Sequence, residues 1–223
     1  MKTFLFLLLA LVLFGATLAG TACGDKEIEE ARLPVLGVGD EWTYNMTSEG
    51  QPYTWIEKVF GHGKRAGTEC YLVQVSIDPP YKGVANSAEL WVEEETLRTQ
   101  WILIEGPSQY VMRMDISWDR PPLFPLTVGK QISGTETDYI VVESNGEVQN
   151  SETETHLYTY KVESIENITV AAGTFNCFKI VKYENGSPVN TTWYSDKVKS
   201  GDGVKSVNHE TGEILELVSY SVK

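Results

Sequence analysis

Apolar and polar positions alternate with a period of two along most of the chain. Tyr71, Val73, Val75 and Ile77 form one stripe; Tyr110, Met112, Met114 and Ile116 form another, opposite Arg113, Asp115 and Ser117. His156, Tyr158, Tyr160 and Val162 make a third, and Ile214, Val218, Tyr220 and Val222 a fourth, with Glu216 among them. Such alternation, rich in Thr, Val, Ile, Tyr and Trp, predicts strands with one face turned inward. Turn signals separate the stripes at short intervals: Glu49-Gly50, Gly61-His62-Gly63, Asp78-Pro79-Pro80, Glu105-Gly106-Pro107, Asn145-Gly146, Asn185-Gly186, Gly201-Asp202-Gly203 and Thr211-Gly212. Asn-Gly between apolar alternations is a strong hairpin cue. The expectation is an all-β body of about 11–12 strands, with Asp25 to Arg32 the one stretch of short helix potential.

The pattern also repeats. LGVGDEWTYN (36–45), GTECYLVQV (67–75) and AELWVEEE (88–95) are echoed in order by LTVGKQISGT (126–135), GTFNCFKIV (173–181) and NTTWYSDK (190–197). A two-fold internal duplication accounts for this; reuse of the same strand and turn chemistry is the plainer alternative. Duplication implies a first β half over 36–118, a join at 119–126 and a second β half over 127–223, with an insertion near 140–165. Three prolines in DRPPLFPL bar the join from a central strand.

The N-terminus has a different texture. Lys2 precedes a wholly apolar run from Phe4 to Phe14, then small residues through Ala22 and Cys23. This is the layout of a secretory signal over 1–22, too short for the roughly 20 residues of a spanning helix. Gly20-Thr21-Ala22-Cys23 resembles the lipobox of bacterial lipoproteins, in which the cysteine becomes the acylated first residue; Gly20 stands where that motif usually has Leu. The resemblance implies lipidation at Cys23, a lipidated N-terminus and tether over 23–35, and attachment to a membrane through N-terminal acyl chains. Ordinary secretion with a spare thiol is the alternative. The location expected is the outer face of the cytoplasmic membrane, the periplasm or the outer membrane. If Cys23 is acylated, Cys70 and Cys177 remain, either as a disulfide or as two buried thiols.

Composition narrows function. The 223 residues carry a formal charge of −13, and removing residues 1–22, which hold one basic and no acidic side chain, takes it to −14. An acidic body repels nucleic-acid phosphate, so no nucleic-acid partner is expected. His62, His156 and His209 form no HxH or HExxH pattern, and no metal or cofactor is expected. There is no G-x-S-x-G elbow or phosphate loop, so no catalytic residue is assigned. Glu93, Glu94 and Glu95 read as a solvated face, and Asp202 and Glu210 lack an EF-hand context. Aromatic supply is the suggestive feature: six tryptophans and eleven tyrosines either fill the core of a large sheet or line a ligand groove.

Ala172-Gly173-Thr174-Phe175-Asn176-Cys177-Phe178-Lys179-Ile180, then Trp193-Tyr194-Ser195-Asp196-Lys197-Val198 and Gly203-Val204-Lys205, resemble a motif of bacterial exported β-rich lipoprotein families. The match covers the last third of the chain, and PLTVGK (125–130) extends it backward. The resemblance implies a curved antiparallel sheet or partly open barrel. A looser analogy is to half-barrel carriers of lipids or lipoproteins in bacterial envelopes. The functional expectation is a non-enzymatic, lipid-anchored protein that binds an apolar or amphipathic, lipid-like ligand, with Trp91, Trp101, Met112, Met114 and Tyr158 as lining. The alternative is a structural or assembly module that binds an envelope protein.

Overall fold

The structure, a computed structural model, describes residues 30–81, 85–106 and 110–223. Cys23, the signal segment and most of the tether lie outside the described residues. The described residues form twelve strands: β1 (Glu41–Ser48), β2 (Gln51–Arg65), β3 (Thr68–Tyr81), β4 (Ala85–Glu93), β5 (Thr99–Glu105), β6 (Tyr110–Asp119), β7 (Gln131–Ser144), β8 (Glu147–Val170), β9 (Gly173–Glu184), β10 (Ser187–Tyr194), β11 (Lys205–Asn208) and β12 (Ile214–Ser221). Neighbours in sequence are neighbours in space, all antiparallel, and β1 pairs with β12. The expected curved sheet or partly open barrel is a closed barrel, which among the described residues leaves no long edge strand to template aggregation.

Turn chemistry sets this order. Glu49-Gly50, Ala66-Gly67, Asn145-Gly146 and Asn185-Gly186 each place two consecutive residues at positive φ between paired strands. That is the two-residue hairpin turn whose twist matches the strands it joins. The expected helix is not seen where it can be judged: Ala31 is extended and bridges Leu126, donating its N–H to the Leu126 carbonyl at 3.0 Å and accepting in return at 2.8 Å.

Register defines the inner wall. Val73 pairs with Leu90, Leu90 with Ile102, Ile102 with Met114 and Met114 with Ile140, so these share a face. Residues directly opposite in an antiparallel pair point the same way. Trp42, Tyr44, Val59, Val73, Val75, Ile116, Ile132, Val162 and Ile180 are among the buried members of that wall. On β12 Leu215 and Leu217 face inward, opposite in parity to the stripe read in the sequence, whereas beyond the unpaired Val218 that stripe is kept, with Tyr220 opposite Trp42. A register shift between Thr43 and Tyr44 brings Leu217 opposite Tyr44.

The first three strands, β1–β3, and the strands β7–β9 share one hydrogen-bonding pattern. Gly39 donates to the Val59 carbonyl at 2.8 Å and Val59 to Asp40 at 2.9 Å; Gly129 donates to Val162 at 2.8 Å and Val162 to Lys130 at 2.9 Å. Both valines are fully buried, and just beyond each the next pairing slips, after Val59 in β2–β3 and after Val162 in β8–β9. Cys70 and Cys177 approach the carbonyls of Thr68 and Phe175, both at 3.6 Å. Registers then match β1 to β7, β2 to β8 and β3 to β9. Where the β1–β2 hairpin turns through residues 49–50, beyond Ser48 paired with Gln51, the β7–β8 hairpin runs on through 139–153, beyond Asp138 paired with Glu154. The halves are not separate bodies, because β6–β7 and β12–β1 seal them into one sheet. The proline-rich stretch begins at the last residue of β6 and runs on outside the strands.

Cys70 and Cys177 are free, buried thiols, on strands that are not neighbours in the barrel. The structure therefore has the buried-thiol alternative and no bridge. Burial pushes both thiols up, Cys177 to about 12, so neither is poised as a nucleophile.

Candidate functional site

A twelve-stranded barrel is wider than the eight-stranded kind that side chains alone can fill. On the side of β1–β3 the interior is filled. Trp42, Tyr44 and Val59 pack there, and the connection between β10 and β11 (195–204) turns inward against them. Trp42 donates its indole N–H to the Val198 carbonyl at 2.7 Å, and the Tyr44 hydroxyl meets Ser200 Oγ at 2.7 Å and the Gly203 carbonyl at 3.0 Å. Glu57 is buried beside this connection. It accepts from Trp55 Nε1 at 3.0 Å and from Ser200 Oγ at 3.4 Å, and hydrogen-bonds the Asp202 carboxylate. Burial, then the Asp202 charge, raise the Glu57 carboxyl well above its ordinary range. Cavities of about 110 and 240 Å³ lie on either side of Asp202.

Across the barrel the interior is different. Ile102, Ile104, Met112, Met114, Ile140 and Val142 face inward by register, yet each is only half-buried. Below them along β6–β9 lies a charged cluster. Lys182 Nζ sits 3.4 Å from Glu136 Oε2 and 3.5 Å from the centre of the Tyr158 ring. His156 stacks on Tyr158 at 5.5 Å and bonds Glu184 Oε1 through Nδ1 at 2.7 Å and Glu154 Oε2 through Nε2 at 3.4 Å. Asp138 is 8% exposed, and its Oδ1 has no hydrogen-bond partner. Lower still, the Arg120 guanidinium lies 4.7 Å from the Trp118 ring and 4.5 Å from the Tyr160 ring, and Arg98 donates to the Arg120 carbonyl at 2.5 Å. Gly134 makes this crossing fit: a Cβ there would lie 2.1 Å from the Asp119 carbonyl oxygen.

Burial dominates the electrostatics. It raises the carboxyls of Glu136 and Asp138, raises the Tyr158 hydroxyl and lowers Lys182. His156 is raised, chiefly by its hydrogen bond to Glu184. These are ions in a partly dry wall, held by one another.

Of the residues expected to line a ligand surface, Met112, Met114 and Tyr158 share this inner face. Trp91 and Trp101 do not. They pair with each other and with Leu72 and Asp115, on the opposite face of the sheet. There Trp91 packs against Gly63, where a Cβ would come within 2.9 Å of its ring, and Arg65 lies 5.0 Å from the Trp101 ring. Sequence reasoning missed Glu136, Asp138 and Lys182. The available signal was charge interrupting an inward stripe: Ile132, Glu136 and Asp138 share parity, as do Ile180, Lys182 and Glu184. The histidines do not converge: His62 bonds Glu94 at 2.7 Å and His209 bonds Thr191 at 2.8 Å. Among the described residues no group of three or more His, Cys, Asp or Glu side chains is placed to hold a metal ion.

Residues 103–211 match the family described as DUF3108-like. They run from β5 to the turn before β12 and so contain most of the charged cluster. No curated protein matches the chain. Two solved structures are similar over 86% of this chain and 99% of theirs. One, named "a putative lipoprotein" of Parabacteroides distasonis, has a TM-score of 0.42 at 10% identity. The other, named "a putative exported protein with YmcC-like fold" of Bacteroides fragilis, has a TM-score of 0.39 at 11% identity.

Proposed function

We propose that this chain is a lipid-anchored, extracytoplasmic, non-enzymatic protein whose barrel interior binds an apolar or amphipathic ligand. The observation that carries the reading is the half-buried inner wall of Ile102, Ile104, Met112, Met114, Ile140 and Val142. A barrel that fills one side of its interior with an inserted connection leaves this apolar surface uncovered on the other. Covering it would contribute about 25 cal/mol per Å² of apolar area. The charged cluster below gives the wall a polar end, as an amphiphile requires.

Native mass spectrometry of the exported chain carrying Cys23→Ser, without detergent, tests this. A co-purifying apolar species, absent from a Met112→Glu/Met114→Glu variant of unchanged melting temperature, is the expected result. A clean apo-protein that also takes up no added amphiphile overturns it and leaves the envelope-assembly reading. The anchor is tested separately: the wild-type chain should require detergent for extraction from membranes and Cys23→Ser should not.

A further inference from the structure

We propose that the inner site selects a cationic head group, a primary ammonium on an alkyl chain, and that Asp138 is its acceptor. The inference rests on the apolar-ligand reading and specifies what that ligand carries at its polar end. A carboxylate oxygen left buried without a donor costs about 1–3 kcal/mol. Asp138 Oδ1 is such an atom, in a residue more than nine-tenths buried. Its place in the lattice is one rung below the apolar wall: Asp138 pairs with Ile116 and Glu154, and Ile140, two residues on, pairs with Met114. An alkyl chain along the wall ends at this carboxylate.

Charge decides which head fits. The acids facing the space are Glu136, Asp138, Glu154 and Glu184, and the bases are Lys182, His156 and, from below, Arg120. With His156 counted as a base, the acids still outnumber the bases four to three. The site already holds one ammonium in the manner proposed, since Lys182 Nζ rests between the Glu136 carboxylate and the Tyr158 ring. An ammonium favours that combination of carboxylate and aromatic face. In the first half the lattice position of Asp138 is taken by Ser48, whose hydroxyl is spent on Glu213 at 3.0 Å.

Calorimetric titration of the exported chain carrying Cys23→Ser with dodecylammonium, dodecanol and dodecanoate tests the assignment. Dodecylammonium is expected to bind about tenfold tighter than the other two. Asp138→Asn should remove that margin, leave dodecanol unchanged and not lower the melting temperature. Should the variant fail to fold, the salt dependence of the wild-type chain gives the same answer: affinity for the amine falls with ionic strength and affinity for dodecanol does not. Equal binding of all three overturns the head-group inference while leaving the apolar-ligand reading intact. Tightest binding of dodecanoate overturns it too and directs attention to Arg98 and Arg120. Binding of none overturns both.

Discussion

The same lattice positions carry opposite chemistry in the two halves of the barrel. In the first, Met46, Val75 and Ile77 pack together as an apolar cluster. Aligned through Val59 and Val162, the corresponding residues of the second are Glu136, Lys182 and Glu184. Since the fold accommodates an apolar trio at these positions, nothing about the backbone requires ions there. Paired buried charges seldom match apolar packing for stability. Conflict with the local rule of an apolar inner face is what the proposed ligand site would produce. The first half shows what the lattice does when it only has to hold together; the second shows the departure.

Three substitutions test that contrast. The largest effect is expected from Gly134→Val. Gly134 corresponds to Tyr44, but here the Asp119–Arg120 backbone crosses the inner face where a side chain would stand. Destabilisation of roughly 3 kcal/mol or more is expected in urea unfolding, because backbone must move. Next, transplanting the first half's trio as Glu136→Met/Lys182→Val/Glu184→Ile should leave stability unchanged or raise it by about 1–4 kcal/mol, while abolishing amphiphile binding. A marked loss of stability would show that the ions are structural and dissolve the contrast. The smallest effect is expected from Glu57→Gln, which keeps an acceptor for Trp55 and supplies a donor to Asp202. The folded-state pKa of Glu57 is raised, so its contribution is fully present below the unfolded carboxylate pKa and is lost as pH rises toward the folded value. Glu57→Gln should therefore melt above wild type at pH 7, and the two should converge as pH falls toward 4. A constant difference across that range would place the effect elsewhere.

Much of the fold was legible because hairpin turns and alternating stripes are local signals. Glu49-Gly50, Asn145-Gly146 and Asn185-Gly186 are turns for the reason their sequences suggest, and Tyr71, Val73, Val75 and Ile77 face inward as their spacing requires. What failed was non-local. The parity of β12 switches at Val218, which pairing with β1 leaves without a partner, so Leu217 rather than Val218 points inward. Residue type puts Trp91 and Trp101 with Met112 and Met114, but pairing places them on opposite faces. The charged cluster draws on β7, β8 and β9 together, and only their pairing brings its members to one place. Closure of the barrel is likewise invisible locally, since it joins the first strand to the last.

The bridge between Ala31 and Leu126 fixes a leash length. Two hydrogen bonds moor the chain there, and the mooring at Ala31 lies eight residues along the chain from Cys23, with seven between them. Even drawn out fully, eight residues reach only about 28 Å. Acyl chains on Cys23 would thus keep the barrel closer to the bilayer than one bilayer thickness, with little freedom to drift and every chance to meet a molecule as it leaves the lipid.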